Sequence, residues 1–212
     1  MNVIAIDGTF ASGKGTLAKR LSKHYGLPHL DTGKLYRAAA YIALEQNIDF
    51  NDPAACAKAA RLIKHDQLDD PVLKSGPIGA AASKISVHAA VRQELFDFQR
   101  EFAAKGGVLD GRDIGTVICP DADVKLFVDA DPEERAKRRH KELVGYGEDI
   151  DYDTVLAQLQ ERDQRDKTRS EAPLKAASDA HLIDTTNLSI ERAFDAAVKV
   201  IDAVLEAKSS KI

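Results

Sequence analysis

Nine residues near the amino terminus, Gly8-Thr9-Phe10-Ala11-Ser12-Gly13-Lys14-Gly15-Thr16, have the types and spacing to hold a polyphosphate. Glycines at both ends let the backbone curl so that several N–H groups point inward at phosphate oxygens. Lys14 adds a cation for the β- and γ-phosphates, and Thr16 offers a hydroxyl on the first helical turn after the loop. A second group, Asp110-Gly111-Arg112-Asp113, puts two carboxylates and a guanidinium within four residues. A third is a stripe: Val155, Leu159, Arg162, Asp166 and Arg169 fall at steps of four, three, four and three, which is one face of a helix. Arg135, Arg138, Arg139 and Arg165 lie nearby in sequence but off that stripe. The loop suits a polyphosphate; the second group offers hydrogen-bond acceptors and a fixed fork donor, which a salt-bridged turn would also use, and the charged stripe reads by itself as a solvated helix face.

The elements that must position them can be read from pattern. Val3-Ile-Ala-Ile6 is a short apolar run that fits a buried parallel strand, bounded by Asp7-Gly8. A helix from about Gly15 to Tyr25 comes next, Asp31-Thr32-Gly33 breaks the chain, and a helix runs from Leu35 to Leu44. Asp52-Pro53 starts the next helix, which reaches His65. Asp66 to Gly79 reads as a loop, and one helix is expected from about Ile78 to Lys105, stopped by Gly106-Gly107. Val108 to Asp110 and Val124 to Val128 are strands, which puts Asp110–Asp113 at a strand's carboxyl end, where ligands bind in open α/β sheets. Asp131 with Glu134 reads as a helix cap. Residues 145–152 form a Gly- and Asp-rich connection expected to be mobile, and a charged helix runs from Thr154 to about Arg169. His181 to Asp184 is the last strand, Ser189 opens a final helix ending near Ala207, and Lys208 to Ile212 should fray. Strands alternating with helices argue a parallel sheet covered on both faces.

Composition narrows the class. The 212 residues are 44% hydrophobic and 30% charged, which excludes a disordered chain. With 30 basic against 34 acidic residues the net charge is −4, a poor basis for duplex nucleic-acid binding. No apolar run approaches the ~18 residues of a membrane span, and Asp7 comes too early for a secretion signal. Cys56 and Cys119 read as free thiols of a cytoplasmic protein, with no metal-ligand spacing around them. The six histidines are dispersed and read as structural or surface groups.

The stretch Asp110-Gly-Arg-Asp-Ile-Gly-Thr-Val-Ile-Cys-Pro-Asp-Ala-Asp-Val-Lys-Leu-Phe-Val-Asp-Ala130 resembles bacterial cytidylate kinases. So do Asp31-Thr-Gly-Lys-Leu-Tyr-Arg37 and Glu161-Arg-Asp-Gln-Arg-Asp-Lys-Thr-Arg-Ser-Glu-Ala-Pro173. With the phosphate loop these cover nearly the whole chain in order. The resemblance implies an α/β fold: the P-loop kinase three-layer sandwich with a five-stranded parallel sheet, plus helical monophosphate-binding and lid segments. One domain is expected over 1–212, with the lobe at about 33–105, the lid at about 138–168 and the core in the remainder. The implied activity is transfer of the γ-phosphoryl group from Mg·ATP to CMP or dCMP by a monomer, with no nucleic-acid or membrane partner. The strict loop pattern has Ser or Thr where Gly15 stands. Nucleoside monophosphate kinases, which this variant resembles, hold Mg²⁺ mainly through nucleotide and water, so no protein metal ligand is assigned.

By the same resemblance, Gly8 to Thr16 bind ATP, and Lys14, Arg138, Arg165 and Arg169 act on the transferring phosphates. Arg138 and Arg165 are expected to reach the ATP phosphates, whereas Arg135 and Arg139 read as solvated. Thr32, Tyr36, Arg37, Ser83, Arg92, Arg112, Asp113, Arg162, Asp166 and Arg169 are expected around CMP. Arg92 and Asp113 would read the cytosine edge, Arg37 and Arg169 would meet the phosphate, and Asp166 the ribose with Arg162 and Ser83 nearby. Many members carry an inserted small sheet before the Ser83 block; this chain has only a short segment there. A kinase of the same scaffold acting on UMP, AMP or shikimate, or a non-catalytic ATP-binding regulator, are the competing readings.

Overall fold

The computed structural model describes residues 2–210; Met1, Lys211, Ile212 and the side chain of His65 lie outside the described residues. Five strands, β1 (Val3–Gly8), β2 (His29–Asp31), β3 (Gly107–Gly111), β4 (Val124–Asp129) and β5 (His181–Asp184), form one sheet in the order β2-β3-β1-β4-β5. Every pairing is parallel. The central strand shows why the run Val3–Ile6 had to be buried. Ile4 and Ile6 pack on one face against Leu17 and Leu21 of α1 (Lys14–Tyr25) and Ala197 and Ile201 of α8 (Ile190–Ser209). Ala5, between them, faces the opposite layer with Leu30 and Leu109. At the end of β1 a side chain on Gly8 would sit 2.0 Å from the Val128 carbonyl oxygen, so the loop can leave the sheet there only from a glycine.

Two helical outgrowths flank the carboxyl edge of this sheet. The first joins α2 (Thr32–Glu45), α3 (Pro53–Arg61), α4 (Gly76–Ile85) and α5 (Ala89–Ala104). Its core mixes Ala39, Ala57, Ala60 and Ala82 with Leu35, Ile85 and Leu95, and the small residues let the helices approach closely. The second is the hairpin of α6 (Pro132–Gly145) and α7 (Tyr152–Thr168), closed over Ala136, Leu143, Val155 and Leu159, with Phe10 of the phosphate loop packed against them. No described helix is long and apolar enough to cross a membrane.

Several expectations are corrected. The single helix read from Ile78 to Lys105 is two, parted at Ser86–His88. There the Ser86 hydroxyl donates to the Ser83 carbonyl at 3.0 Å, and the His88 ring donates to the Phe50 carbonyl at 2.6 Å, which fixes the bend without glycine or proline. The loop Asp66–Gly79 contains two 3₁₀ turns, His65–Asp69 and Pro71–Lys74, before α4 begins. Asp31-Thr32-Gly33 is no break: β2 passes directly into α2. Asp131 makes no side-chain cap; Glu134 pairs with Arg138 at 3.2 Å instead. The Ser189 cap forms as read, accepting from the Arg192 amide at 3.2 Å, and α8 continues to Ser209, past Ala207.

Candidate active site

The loop between β1 and α1 sits at the carboxyl edge of the sheet. Thr9 fixes its entrance by donating to Asp129 at the end of β4 (2.6 Å), and the Ser12 hydroxyl donates to the Thr9 carbonyl at 3.0 Å. Ala11 and Gly13 take left-handed backbone (φ 61° and 88°), which turns successive amides toward one side. Lys14 curls back over the loop, Nζ 3.1 Å from the Thr9 carbonyl. Burial lowers its pKa to about 7, with the nearby Arg112 charge adding to the effect. Beside it lies a cavity of 430 Å³ whose walls include Lys14, Thr16, Asp31, Arg37, Asp110 and Arg112. A second cavity of 480 Å³ opens on the other flank of Gly13, lined by Arg138, Thr185, Leu188 and Ile190. Arg138 is held there by the Thr185 hydroxyl (3.0 Å) and carbonyl (2.7 Å), and the Thr185 hydroxyl donates to the Ser12 carbonyl at 2.8 Å.

The Asp110–Asp113 turn is braced from behind. Asp7, the last side chain of β1 before the loop, is 3% exposed and accepts from the amides of Ile114 and Gly115, each at 2.7 Å. Burial raises its pKa to about 7, against the lowering effect of those two amides. These bonds seat a π-helical turn, Ile114–Ile118, directly after Arg112 and Asp113, whose side chains line the cleft. His29 Nε2 lies 2.7 Å from Asp110 Oδ1, and burial raises the Asp110 pKa while His29 opposes that shift.

On the far side of Gly111 and Arg112 is a narrow cleft of 30 Å³. Four guanidinium groups and two carboxylates fill its walls. Arg112 pairs with Asp166, and Arg92 pairs with Asp113. Arg162 lies 3.9 Å from Asp166, and Arg169 lies 3.8 Å from Asp113. The set carries two excess positive charges. Arg162 Nε and Arg169 Nη2 are buried without a hydrogen-bond partner among the described residues. Burial, and then the neighbouring guanidinium groups, lower the pKa of Arg162 far and that of Arg169 less. Burial pushes against ionisation of Asp166 as well, but Arg112, Arg162 and Arg169 hold its carboxyl below the usual range. Tyr36 lies under Arg92, ring centroid 5.7 Å from the guanidinium carbon, and burial pushes its phenol up to about 12.

Most of the residues singled out from sequence converge on these cavities. Gly13, Lys14, Gly15, Thr16 and Arg37 line the first; Thr32, Tyr36, Arg92, Arg112, Asp113, Arg162, Asp166 and Arg169 line the cleft. Thr32 lends its hydroxyl to the Asp110 carbonyl at 2.9 Å. Ser83 and Arg165 stand apart: the Arg165 guanidinium donates to the Ser83 hydroxyl at 2.7 Å and also bonds Glu161, on the lid–lobe seam. Arg165 is therefore absent from the walls of the phosphate-loop cavity. Arg135 and Arg139 are not solvated. Arg135 is 2% exposed and makes a two-pronged pair with Asp163 (2.6 and 3.1 Å); Arg139 lies over Phe10. Asp7, His29 and Asp163 are partners that the sequence reading missed. Asp7 alone left a trace, as the charged residue ending an otherwise apolar central strand.

Residues 4–203 match the family profile of cytidylate kinase. A cytidylate kinase of Xanthobacter autotrophicus is 55% identical over 203 residues, spanning 95% of this chain and 97% of its own. One of Rhizobium meliloti is 52% identical, spanning 97% and 98%. Among solved structures, a gluconokinase from Sinorhizobium meliloti 1021 superposes at a TM-score of 0.55 with 13% identity, over 99% of this chain and 97% of its own, a likeness of fold alone. With more than half of the residues identical along nearly the full length of curated relatives, the chain belongs to the cytidylate kinase family.

Proposed function

We propose that the protein transfers the γ-phosphoryl group of ATP to CMP or dCMP, giving ADP and CDP or dCDP. The observation that carries this reading is the adjacency of two unlike anion sites. Gly33, Gly111 and Arg112 line both the phosphate-loop cavity and the arginine cleft. The cleft's two surplus positive charges match the dianion of a nucleoside monophosphate, and its unpartnered Arg162 and Arg169 donors ask for acceptor oxygens. The single domain divides into a lobe at about 33–105 that takes the monophosphate, a lid at about 138–168, and the core.

The donor's phosphates lie along the loop amides and Lys14, and its base on the flank of Arg138 and Ile190. Mg²⁺ fits this chain as a metal brought by the nucleotide. Oxygen donors in that cavity wall include Thr16, Asp31 and Asp110, and no described group of three or more His, Cys, Asp or Glu residues is placed as a metal cage. Those three would hold it through its own waters, and when bound it neutralises charge on the β- and γ-phosphates. Arg92 donates to the ring nitrogen and carbonyl of cytosine, while Asp113 accepts from its amino group. Asp166 accepts from the ribose with Arg162 beside it, and Arg37 and Arg169 hold the acceptor phosphate. Arg165 joins the transferring phosphates after leaving Ser83. A lone pair of an acceptor phosphate oxygen attacks the γ-phosphorus in line, and the bond to the β–γ bridging oxygen breaks with its electrons leaving on ADP. The attacking oxygen is already anionic near neutral pH, so no general base is needed. Closure of the lid excludes water, the competing acceptor.

The test is ADP release from Mg·ATP with CMP, dCMP, UMP, AMP, GMP and shikimate each offered. Turnover with CMP and dCMP far above UMP is expected. Faster turnover with any other acceptor refutes the assignment of Arg92 and Asp113.

A further inference from the structure

Phe10 is out of character for a phosphate loop. The loop works through backbone amides and asks nothing of a bulky side chain at its third position. Yet Phe10, while lining the phosphate-loop cavity, packs against Ala136, Leu143, Val155 and Leu159 of the lid hairpin. The guanidinium carbon of Arg162 lies 4.1 Å from its centroid and that of Arg139 lies at 5.5 Å. The Phe10 carbonyl accepts from Arg135 at 3.1 Å, and Arg135 is itself clamped by Asp163 of α7. Two adjacent groups of one loop residue, ring and carbonyl, thus grip the helix that carries Arg162.

The geometry points to Phe10 as a positioning residue that sets Arg162 for the acceptor and ties the donor loop to the acceptor cleft. This rests on the reading that Arg162 serves the acceptor. A guanidinium stacked on a ring is fixed in plane while its N–H edge stays free. Arg162 fits that description. One face is covered by the ring, Nη1 reaches the Gly79 carbonyl at 3.3 Å, and Nε is left buried without a hydrogen-bond partner at the cleft. The like charges of Arg112, Arg37 and Arg139 push on Arg162 while Asp166, 3.9 Å away, pulls on it, and the ring fixes where it lies between them. A side chain that served only to fill the lid core could be replaced by any apolar residue of similar size. One that holds a guanidinium needs an aromatic face.

Steady-state kinetics of Phe10→Leu, Phe10→Trp, Arg162→Met and the Phe10→Leu/Arg162→Met pair separate these cases. Phe10→Leu is expected to raise the KM for CMP about five- to thirty-fold, more than it raises the KM for ATP, and Phe10→Trp, which keeps an aromatic face, is expected to raise it less than Phe10→Leu does. In the Arg162→Met background, Phe10→Leu should add nothing. Should Phe10→Leu fail to fold, Phe10→Met fills the same space without an aromatic face and carries the same expectations. A wild-type KM for CMP in the Leu or Met variant overturns the inference. So does an equal rise in both KM values, or a full effect of Phe10→Leu when Arg162 is already gone. An unchanged KM for CMP in Arg162→Met alone would instead remove the acceptor role of Arg162, a separate failure.

Discussion

Asp163→Asn removes the counter-charge of the most enclosed arginine in the molecule. Arg135 is 2% exposed, its two prongs meet the Asp163 carboxylate at 2.6 and 3.1 Å, and two further N–H groups go to the Ala130 and Phe10 carbonyls at 2.7 and 3.1 Å. Losing one partner of a buried pair costs about 3–5 kcal/mol, because the other charge stays buried. For a chain of this length that corresponds to a fall in Tm of roughly 6–20 °C. The chain has no tryptophan, so urea unfolding followed by far-UV circular dichroism is the suitable assay, read at constant m-value. Replacing both partners, Arg135→Met with Asp163→Leu, should recover much of the loss, since the desolvation cost leaves with the charges. Recovery stays incomplete by about 1 kcal/mol for each carbonyl that loses its donor. A loss below about 1 kcal/mol in Asp163→Asn would refute the claim that this pair is sealed from solvent. A double variant as weak as the sum of its singles would refute the view that the unpaired charge is what costs.

Lys14→Ala should lower kcat/KM by orders of magnitude with a Tm within a few degrees of wild type; near-normal turnover would remove Lys14 from the reaction. The same lysine predicts a proton linkage. Its native pKa is lowered to about 7 from 10.5, so native Lys14 sheds its proton first and its charge no longer opposes folding as pH rises from about 7 to 10.5. Phosphate oxygens favour the charged form, so Mg·ATP binding should take up a fraction of a proton at pH 8 and almost none at pH 6. Calorimetry in buffers of different ionisation enthalpy reads this, and equal uptake in Lys14→Met would assign the proton elsewhere. Asp113→Asn should reduce kcat/KM for CMP by about a hundredfold, by unpairing Arg92 and Arg169, and narrow the preference for CMP over UMP. A preserved CMP/UMP ratio would show that the base is read elsewhere.

Local rules served the sequence reading where a residue's role is set by its own neighbours. The central strand, the strand–loop–helix run of the phosphate loop, the Asp52 and Ser189 caps and the α7 stripe from Val155 to Asp166 formed as read. Arg169 is not on that helix but is its extended cap, and the helix that Asp52 opens ends at Arg61 rather than His65. The rules failed where a partner far along the chain decides. β2 has three residues and a single fully apolar one, Leu30; what makes it a strand is its register on β3, with Leu30 opposite Leu109. The bend at Ser86–His88 carries no glycine or proline, and its anchor, the Phe50 carbonyl, lies 38 residues away.

The charged residues show the same limit more sharply. Helical spacing placed Arg162, Asp166 and Arg169 together, and the structure keeps them together at the cleft. It could not say which cation meets which anion. Asp166 pairs with Arg112, 54 residues earlier; Asp163 pairs with Arg135, 28 earlier; Asp113 pairs with Arg92, 21 earlier. Spacing alone does not tell Arg135 from Arg138, two arginines one turn apart on a charged helix, and the expectation that Arg135 is the solvated one is reversed. The fold separates them by what each can reach. Arg135 faces the underside of the phosphate loop and is sealed by Asp163, whereas Arg138 faces the β5–α8 connection and borrows Thr185. A run of arginines is solvated by default because desolvation is costly. It becomes site architecture only when the fold supplies carboxylates and carbonyls to meet each one, and that supply is a property of the sheet edge rather than of the run.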